Sequence, residues 1–294
     1  MQKRKAAVFI LLGQSNATGH DVPMEEKDII RTPLCNVFGL HRDDNQSFGV
    51  TSLKWSGYTS GGMNLGETQD DTYSVANCLA ALWQAHVDCG NEAELGDLYI
   101  VHMSVGAEGV GPGQMWSPDK EQTLTPGELG TVNISLFPLS MHIFSLLDQS
   151  FSELGLEYEI IGLHWRGGEQ EFLQTVDYLR PILSSIYHKL MDEWNRVLHC
   201  PPTVLHRIVC RDRVLLNDPN GGQLESMNHI NAVFEELERD YGNISIFDVR
   251  NAPQYVPDVQ GNGIFKGDVV HFTPEVNRWV AGEILNDYIN NRAQ

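Results

Sequence analysis

The sequence predicts an α/β protein, a three-layer α/β/α sandwich whose central parallel sheet has about five strands. Short apolar segments, rich in β-branched residues and mostly without polar alternation, have the pattern of strands covered on both faces. Longer amphipathic segments between them predict helices. Strands and helices that alternate along a chain form a parallel sheet with helices on both sides, and ligands bind beyond the carboxyl ends of its strands.

The elements follow in order along the chain. Five short apolar segments predict strands: Val8–Leu12, Leu98–Met103, Glu159–His164, Thr203–Val209 and Ile244–Val249. Four amphipathic segments between them predict helices: Tyr73–Val87, Pro138–Leu154, Val176–Val197 and Met227–Asp240. A last helix begins at Thr273-Pro274 and runs toward Ile289, because Thr is a favoured N-cap and Pro is favoured at the first helical position.

Two long segments, Arg31–Asp71 and Gly106–Leu136, are polar or glycine-rich and show little periodicity. Loops of this length in a compact protein are often binding loops or lids, so we expect both to lie over the same edge of the sheet. No linker, repeat or low-complexity run interrupts the chain. We therefore expect residues 1–294 to form a single domain.

The net charge of −19 argues against nucleic acid and anionic membrane surfaces as partners, because a strongly acidic protein repels both. The basic cluster Lys3–Lys5 is too short to change this expectation. No apolar run reaches the ~18–20 residues of a membrane span. A small molecule is the expected partner, and the sequence leaves the oligomeric state open.

The N-terminal segment has a short apolar run, Ala6–Leu12, after its basic residues, as a signal peptide has. The run is at the lower limit of length for a signal peptide and no small-residue cleavage site follows it. We interpret it as a buried strand and expect a cytoplasmic protein. Five scattered cysteines without C-x-x-C or Cys/His zinc spacing predict reduced thiols and no metal site.

Four short blocks lie in the loops that follow the predicted strands. In order along the chain they are Gly13-Gln14-Ser15-Asn16, Ser104-Val105-Gly106-Ala107, Trp165-Arg166-Gly167-Gly168-Glu169 and Asp268-Val269-Val270-His271. They resemble the ordered blocks of the SGNH hydrolase superfamily, and most closely those of its sialate O-acetylesterase-like carbohydrate acetylesterases. With the closing helix they span residues 13 to 282. The resemblance implies the flavodoxin-like SGNH hydrolase fold.

The resemblance also implies a mechanism. It makes Ser15 the nucleophile, His271 the base and Asp268 the carboxylate that orients the base, with the amides of Ser15 and Gly106 as an oxyanion hole. The implied substrate is an ester, most simply an acetylated carbohydrate, and no cofactor or metal is needed. Six further residues are expected to organise the site or contact substrate: Gln14, Asn16, Trp116, Arg166, Gly167 and Glu169.

The chemistry of the residues agrees with these roles. A serine hydroxyl attacks an ester only when a base removes its proton, and an acid three residues before a histidine can fix that histidine's tautomer. Both motifs also have ordinary structural interpretations. Ser15-Asn16 can simply begin a helix, and Asp268 can cap a turn.

The sequence departs from the family's blocks at two places. Gly167 stands where the third block carries a polar amide, so one oxyanion donor is missing or comes from Arg166 or the glycine-rich loop. Val276 and Asn277 stand where the closing block has a small residue. Aromatic rings near the predicted cleft offer stacking faces for a sugar: Trp116, Trp55, Tyr58 and Trp165.

Two other functions stay open at this point. The missing donor at Gly167 fits a catalytically weakened, carbohydrate-binding protein that keeps the fold. Glu169 and Glu171 resemble the carboxylate pair of a glycosidase, although solvent-exposed acids are the more ordinary interpretation. A nucleotide site has little support, because Gly109, Gly111 and Gly113 lack phosphate-loop spacing.

Overall fold

The computed structural model describes residues 5–20, 22, 24–42, 50–67, 72–91, 95–119, 124–126, 132–173, 180–210, 222–256, 263–265 and 270–292. Its strands are β1 (Lys5–Gly13), β2 (Val37–Leu40), β3 (Trp55–Gly57), β4 (Leu98–Ser104), β5 (Leu124–Pro126), β6 (Val132–Ile134), β7 (Glu157–Arg166), β8 (Thr203–His206) and β9 (Ile244–Phe247). Its helices are α1 (Ser15–Thr18), α2 (Val75–His86), α3 (Leu136–Ser145), α4 (Leu147–Leu154), α5 (Glu169–Leu173), α6 (Leu183–Leu198), α7 (Gly222–Asp240) and α8 (Pro274–Arg292).

The main sheet has the strand order β3-β2-β4-β1-β7-β8-β9, and every pairing in it is parallel except that of β2 with β3. The predicted fold class is confirmed, and each of the five predicted strands is present. The sheet is wider than predicted because β2 and β3 lie within Arg31–Asp71, which we expected to be loop. They are four and three residues long, too short for a periodic pattern, and they form by pairing with β4 and with each other.

Two apolar cores lie on the two faces of this sheet. The central strand β1 is buried from Ala6 to Gly13 and contributes to both. Its residues Val8, Ile10 and Leu12 face the core formed with α3, α4, α6 and α7. The alternate residues Ala7, Phe9 and Leu11 face the core formed with α2 and α8. Because successive side chains of a strand point to opposite faces, this alternation gives the predicted three layers.

The helices differ from prediction mainly at their ends. The predicted Pro138–Leu154 is two helices, α3 and α4, that meet at Leu146. The predicted Val176–Val197 begins in the structure at Leu183, and residues 174–179 lie outside the described part of the chain. At the start of α8, the Val276 amide donates to Thr273 Oγ1 at 3.3 Å, so Thr273 caps the helix as predicted.

The central three strands bring the predicted loops together. At the end of β1, Gly13 pairs with Ser104 of β4 on one side and with Arg166 of β7 on the other. The loops after these strands therefore leave the same edge of the sheet side by side. Within the described residues, no helix is long and apolar enough to cross a lipid bilayer.

Candidate active site

A pocket of about 280 Å³ opens at this edge of the sheet. It brings Ser15, Gly106 and His271 together, although they come from three widely separated parts of the sequence. Its described lining consists of Gln14, Ser15, His20, Glu67, Gly106, Ala107, Glu169, Gln170, Val270 and His271. Residues from all four predicted sequence blocks therefore meet at one cavity.

Ser15 begins α1, a single turn directly after β1. Gln14 precedes it in an extended conformation, and the turn ends at Gly19 in the left-handed region, with a φ of 78°. Ser15 is half-buried, whereas Asn16 and the rest of the turn are buried. Ser15-Asn16 therefore begins a helix and also contributes to the pocket. The turn presents Ser15 to the cavity and packs the side chains that follow it inward.

His102 of β4 supports α1 from below. Its Nε2–H donates to the Ala17 carbonyl at 3.1 Å, and the same nitrogen lies 2.9 Å from Ser104 Oγ, which also accepts from Thr18 Oγ1. Burial lowers the pKa of His102 to about 3, so the ring is neutral. His102 is therefore a buried, hydrogen-bonded residue of the core under α1.

Asn16 connects the α1 turn to the segment that carries His271. Its Nδ2 donates to the Val270 carbonyl at 3.0 Å, and its Oδ1 accepts from the Phe272 amide at 3.4 Å. These two backbone groups belong to the residues on either side of His271. The same Nδ2 donates to Glu169 Oε1 at 2.7 Å. Asn16 therefore fixes the backbone of His271 from both sides and is itself oriented by a buried carboxylate.

Asp268, the predicted acid of the triad, lies outside the described residues, which resume at Val270. Its role as the partner of His271 stays a prediction. The imidazole of His271 lies beside that of His20, with ring centroids 5.5 Å apart. His20 was not predicted to belong to the site. It follows the left-handed Gly19 that ends α1, and this turn directs it back toward the pocket.

Gln14 fixes the loop after β7. Its Oε1 accepts from the amides of Gly168 and Gln170, and its Nε2 donates to Glu171 Oε2 at 3.0 Å. The other oxygen of Glu171 accepts from the Val110 amide at 2.6 Å. Burial raises the pKa of Glu171. Glu169 lines the pocket and Glu171 does not, so the two carboxylates do not face one cleft as a glycosidase requires.

Gly167 has a packing explanation. A Cβ at this position would lie 2.8 Å from the indole ring of Trp165, so no side chain fits unless that ring moves. Trp165 is fully buried, and so is Trp116, which packs edge-on against it with ring centroids 5.1 Å apart. Trp116 Nε1 donates to the Gly13 carbonyl at 3.0 Å. The polar amide side chain that the family's third block carries at this place is therefore excluded by the buried ring of Trp165.

The predicted ligand contacts of the aromatic residues are corrected by this packing. Trp116 and Trp165 are sealed within the core and have no face on the pocket. Tyr58 is buried and its hydroxyl donates to Asn77 Oδ1, while Trp55 Nε1 donates to Ser150 Oγ. None of these rings is among the described lining residues of the pocket, because each packs against or hydrogen-bonds other parts of the protein.

Arg166 also lies behind the pocket rather than in its lining. Its Nη1 donates to Asn277 Oδ1 at 3.0 Å, and its guanidinium lies over the Phe272 ring at 5.3 Å. Burial lowers the pKa of Arg166 to about 10, an effect that the charge of Glu169 opposes. Nε and Nη2 have no hydrogen-bond partner among the described residues. Arg166 therefore does not replace the missing oxyanion donor.

Asn277 explains the second departure from the family's blocks. Besides accepting from Arg166, its Nδ2 donates to the Tyr73 carbonyl at 2.9 Å. A small residue at this place leaves a buried guanidinium without that partner. Asn277 and Arg166 are thus a matched pair that the separate motifs did not reveal.

Glu67 is another site residue that the sequence did not predict. Its Oε2 accepts from the Gly106 amide at 2.8 Å, which is the amide predicted to hold an oxyanion. Glu67 comes from the segment that we expected to be a structureless loop, and no local pattern marks it. Gln170, also missed, lines the pocket three residues after Gly167.

One group of described side chains has the spacing of a cation site: His188, Glu236 and Asp240. It lies on α6 and α7 and shares no residue with the pocket.

No family model and no curated protein matches the sequence. Solved structures do match. A protein from Arabidopsis thaliana has a TM-score of 0.60 and 15% identity, with 98% of this chain and 99% of that chain covered. NanS has a TM-score of 0.61 and 15% identity, covering 99% and 98%. These similarities extend over nearly the whole of each chain and show that this chain shares the fold of both proteins.

Est24, described as a carbohydrate acetylesterase from Sinorhizobium meliloti, is more distant, with a TM-score of 0.44, 11% identity, and 96% and 99% of the two chains covered. It adds nothing to the fold assignment.

Proposed function

We propose that this protein is a serine esterase that removes an acyl group, most simply acetyl, from a hydroxyl of a carbohydrate or similar small alcohol. The observation that carries the proposal is the single pocket lined by Ser15, Gly106 and His271. The carbohydrate part rests on the resemblance of the four sequence blocks to acetylesterases. The fold shared with NanS agrees with the proposal.

The proposed reaction has two halves. Ser15 Oγ attacks the ester carbonyl while His271 takes its proton, and the oxyanion of the tetrahedral intermediate accepts from the amides of Ser15 and Gly106. Collapse of the intermediate breaks the bond to the alcohol, which leaves with the proton from His271. Water then attacks the acyl-serine, His271 again moves the proton, and the acid is released. Asp268 is proposed to orient His271.

A fluorophosphonate probe tests the nucleophile directly. We expect one adduct, located on Ser15 by mass spectrometry, and loss of labelling in Ser15→Ala. Ser184→Ala is a matched control, because Ser184 lies on α6 and does not line the pocket. Acetate release from acetylated sugars should fall by about 10³-fold or more in Ser15→Ala and in His271→Ala. Labelling on another residue, or none on the native protein, excludes this esterase mechanism.

A carbohydrate-binding protein with weakened turnover is the second candidate. It is favoured by Gly167, which leaves the oxyanion hole without the family's side-chain donor, and by the carboxylate of Glu67 on the Gly106 amide. This candidate predicts binding of acetylated sugars in calorimetry without acetate release and without a Ser15 adduct.

A further inference from the structure

Glu67 is held in place by a short segment that is tied to the end of β4. The Asn64 side chain accepts from the Ser104 amide and donates to the Ser104 carbonyl, both at 2.9 Å, and it also accepts from the Gly66 amide. At Gly66 a Cβ would lie 2.2 Å from the Ser104 carbonyl oxygen, so only glycine permits this approach. The strand end thus sets the backbone from which Glu67 reaches Gly106.

The carboxylate occupies the amide that the proposed reaction needs. Gly106 N–H has Glu67 Oε2 at 2.8 Å, and an ester carbonyl can accept from that amide only after the carboxylate leaves it. A hydrogen bond to a charged acceptor is stronger than one to a neutral carbonyl. Exchange of the two acceptors therefore disfavours binding unless the displaced carboxylate receives another donor.

The described pocket lining holds no Lys or Arg with which a displaced carboxylate could form an ion pair. Its acidic side chains are Glu67 and Glu169. The whole chain carries a net charge of −19. An ester with an anionic alcohol part meets like charge, whereas one with a hydroxyl beside the ester can donate to Glu67 as its carbonyl takes Gly106.

We propose that Glu67 determines the substrate class of this site, and that it selects esters of neutral polyols, such as partly acetylated neutral sugars, over esters without a hydroxyl and over esters of acidic sugars. This inference rests on the proposed esterase function. It assigns to Glu67 a direct contact with the substrate hydroxyl rather than a part in proton transfer.

Three small acetate esters test the inference, because they share the acyl group and differ only in the alcohol: ethyl acetate, 2-hydroxyethyl acetate and the acetate ester of glycolic acid. In the native protein we expect kcat/KM to be about tenfold higher for 2-hydroxyethyl acetate than for ethyl acetate, and lowest for the glycolate ester. Glu67→Ala should raise kcat/KM for ethyl acetate about tenfold and remove the preference for the hydroxyl. Glu67→Gln removes the carboxylate, so it should raise kcat/KM chiefly for the glycolate ester.

The decisive quantity is the ratio of the kcat/KM values for two esters, measured on the same variant. A general loss of folded protein lowers both values equally and leaves this ratio unchanged. Equal ratios in the native protein, Glu67→Ala and Glu67→Gln overturn the role of Glu67. If the esterase proposal itself fails, no ester is hydrolysed in a Ser15-dependent manner and no probe adduct forms. The two failures are therefore distinct.

Discussion

The two sides of the pocket are built differently. On the histidine side, formed by Asn16 and residues 270–272, a buried amide side chain makes two hydrogen bonds to the backbone around His271 and a third to Glu169. On the glycine side, formed by Gly106 and Glu67, a half-buried carboxylate makes one hydrogen bond to one backbone amide. In the proposed reaction His271 transfers protons and gains from a fixed position, whereas the Gly106 amide receives a substrate oxygen and needs a partner that can leave.

The largest effect is expected on the histidine side. Asn16→Ala removes the side chain that holds residues 270–272, and a base displaced by about 1 Å loses about 10²-fold in rate. We expect kcat for acetate release, and the rate of probe labelling at Ser15, to fall about a hundredfold while His271 is still present. Steady-state kinetics and timed labelling measure both quantities.

Asn77→Ala is the control for this variant. Asn77 is also buried and its side chain bonds to Tyr58 and Ser60, but it does not line the pocket. Both variants should lower the midpoint of thermal unfolding, because each leaves buried polar groups without partners. If Asn77→Ala slows labelling of Ser15 as much as Asn16→Ala does, the slower labelling comes from a general loss of stability and not from displacement of His271.

Lowering the pH destabilises the fold through three buried histidines: His102, which hydrogen-bonds the α1 turn, and the neighbouring His164 and His206. Burial lowers the pKa of His102 and of His164 to about 3, and that of His206 also lies well below its usual value. In the unfolded chain these rings titrate near 6.5, so below that pH the unfolded state binds protons that the folded state does not. The free energy of unfolding is therefore not reduced by these histidines above pH 6.5, and it decreases as the pH falls from 6.5 toward 3.

The expected loss is about 2 kcal/mol per buried histidine between pH 6.5 and 5. Denaturant unfolding at pH 7 and pH 5 measures it, and His102→Gln should show a smaller loss than the native protein. Gln retains a donor for the Ala17 carbonyl but does not titrate. A free energy of unfolding that is constant from pH 7 to pH 5 contradicts the neutral, buried state of these rings.

The smallest effect is expected on the glycine side. A Cβ at Gly106 would lie 3.6 Å from Glu67 Oε2 and 3.9 Å from Ser15 Cβ, which are ordinary contact distances. Gly106→Ala should therefore fold normally and keep its amide donor, and KM for an acetylated sugar should rise only about threefold to tenfold through crowding of the pocket. A loss of kcat as large as that of Asn16→Ala shows that the glycine side is as rigid as the histidine side.

Periodicity and motif order were sufficient to predict the layers of the fold and the convergence of Ser15, Gly106 and His271. Both depend on local patterns and on the rule that parallel strands present their carboxyl ends at one edge. The widened sheet was not predictable in the same way. Residues 37–40 and 55–57 become strands only because an existing strand offers them a partner.

The residues whose surroundings were not predicted correctly share one physical property: their contacts depend on the three-dimensional structure and not on local sequence. Whether Trp116 meets a ligand or a core depends on the direction of one side chain within a long loop, and no periodicity reports that direction. Gly167 and Trp165 are two positions apart, yet their incompatibility with a larger residue is visible only in three dimensions. Glu67 reaches Gly106 across 39 positions of sequence, through a contact that composition does not encode.

The hydrogen bonds from Asn16 to residues 270 and 272 also make the proposed esterase activity depend on the time course of synthesis. Asn16 and its partner Phe272 are 256 positions apart, so at about 5–20 residues per second the ribosome needs on the order of 10–50 s between making one and making the other. Throughout that interval the α1 turn exists without residues 270–272. The proposed esterase activity is therefore expected to begin only after α8 has been made and has packed against α2.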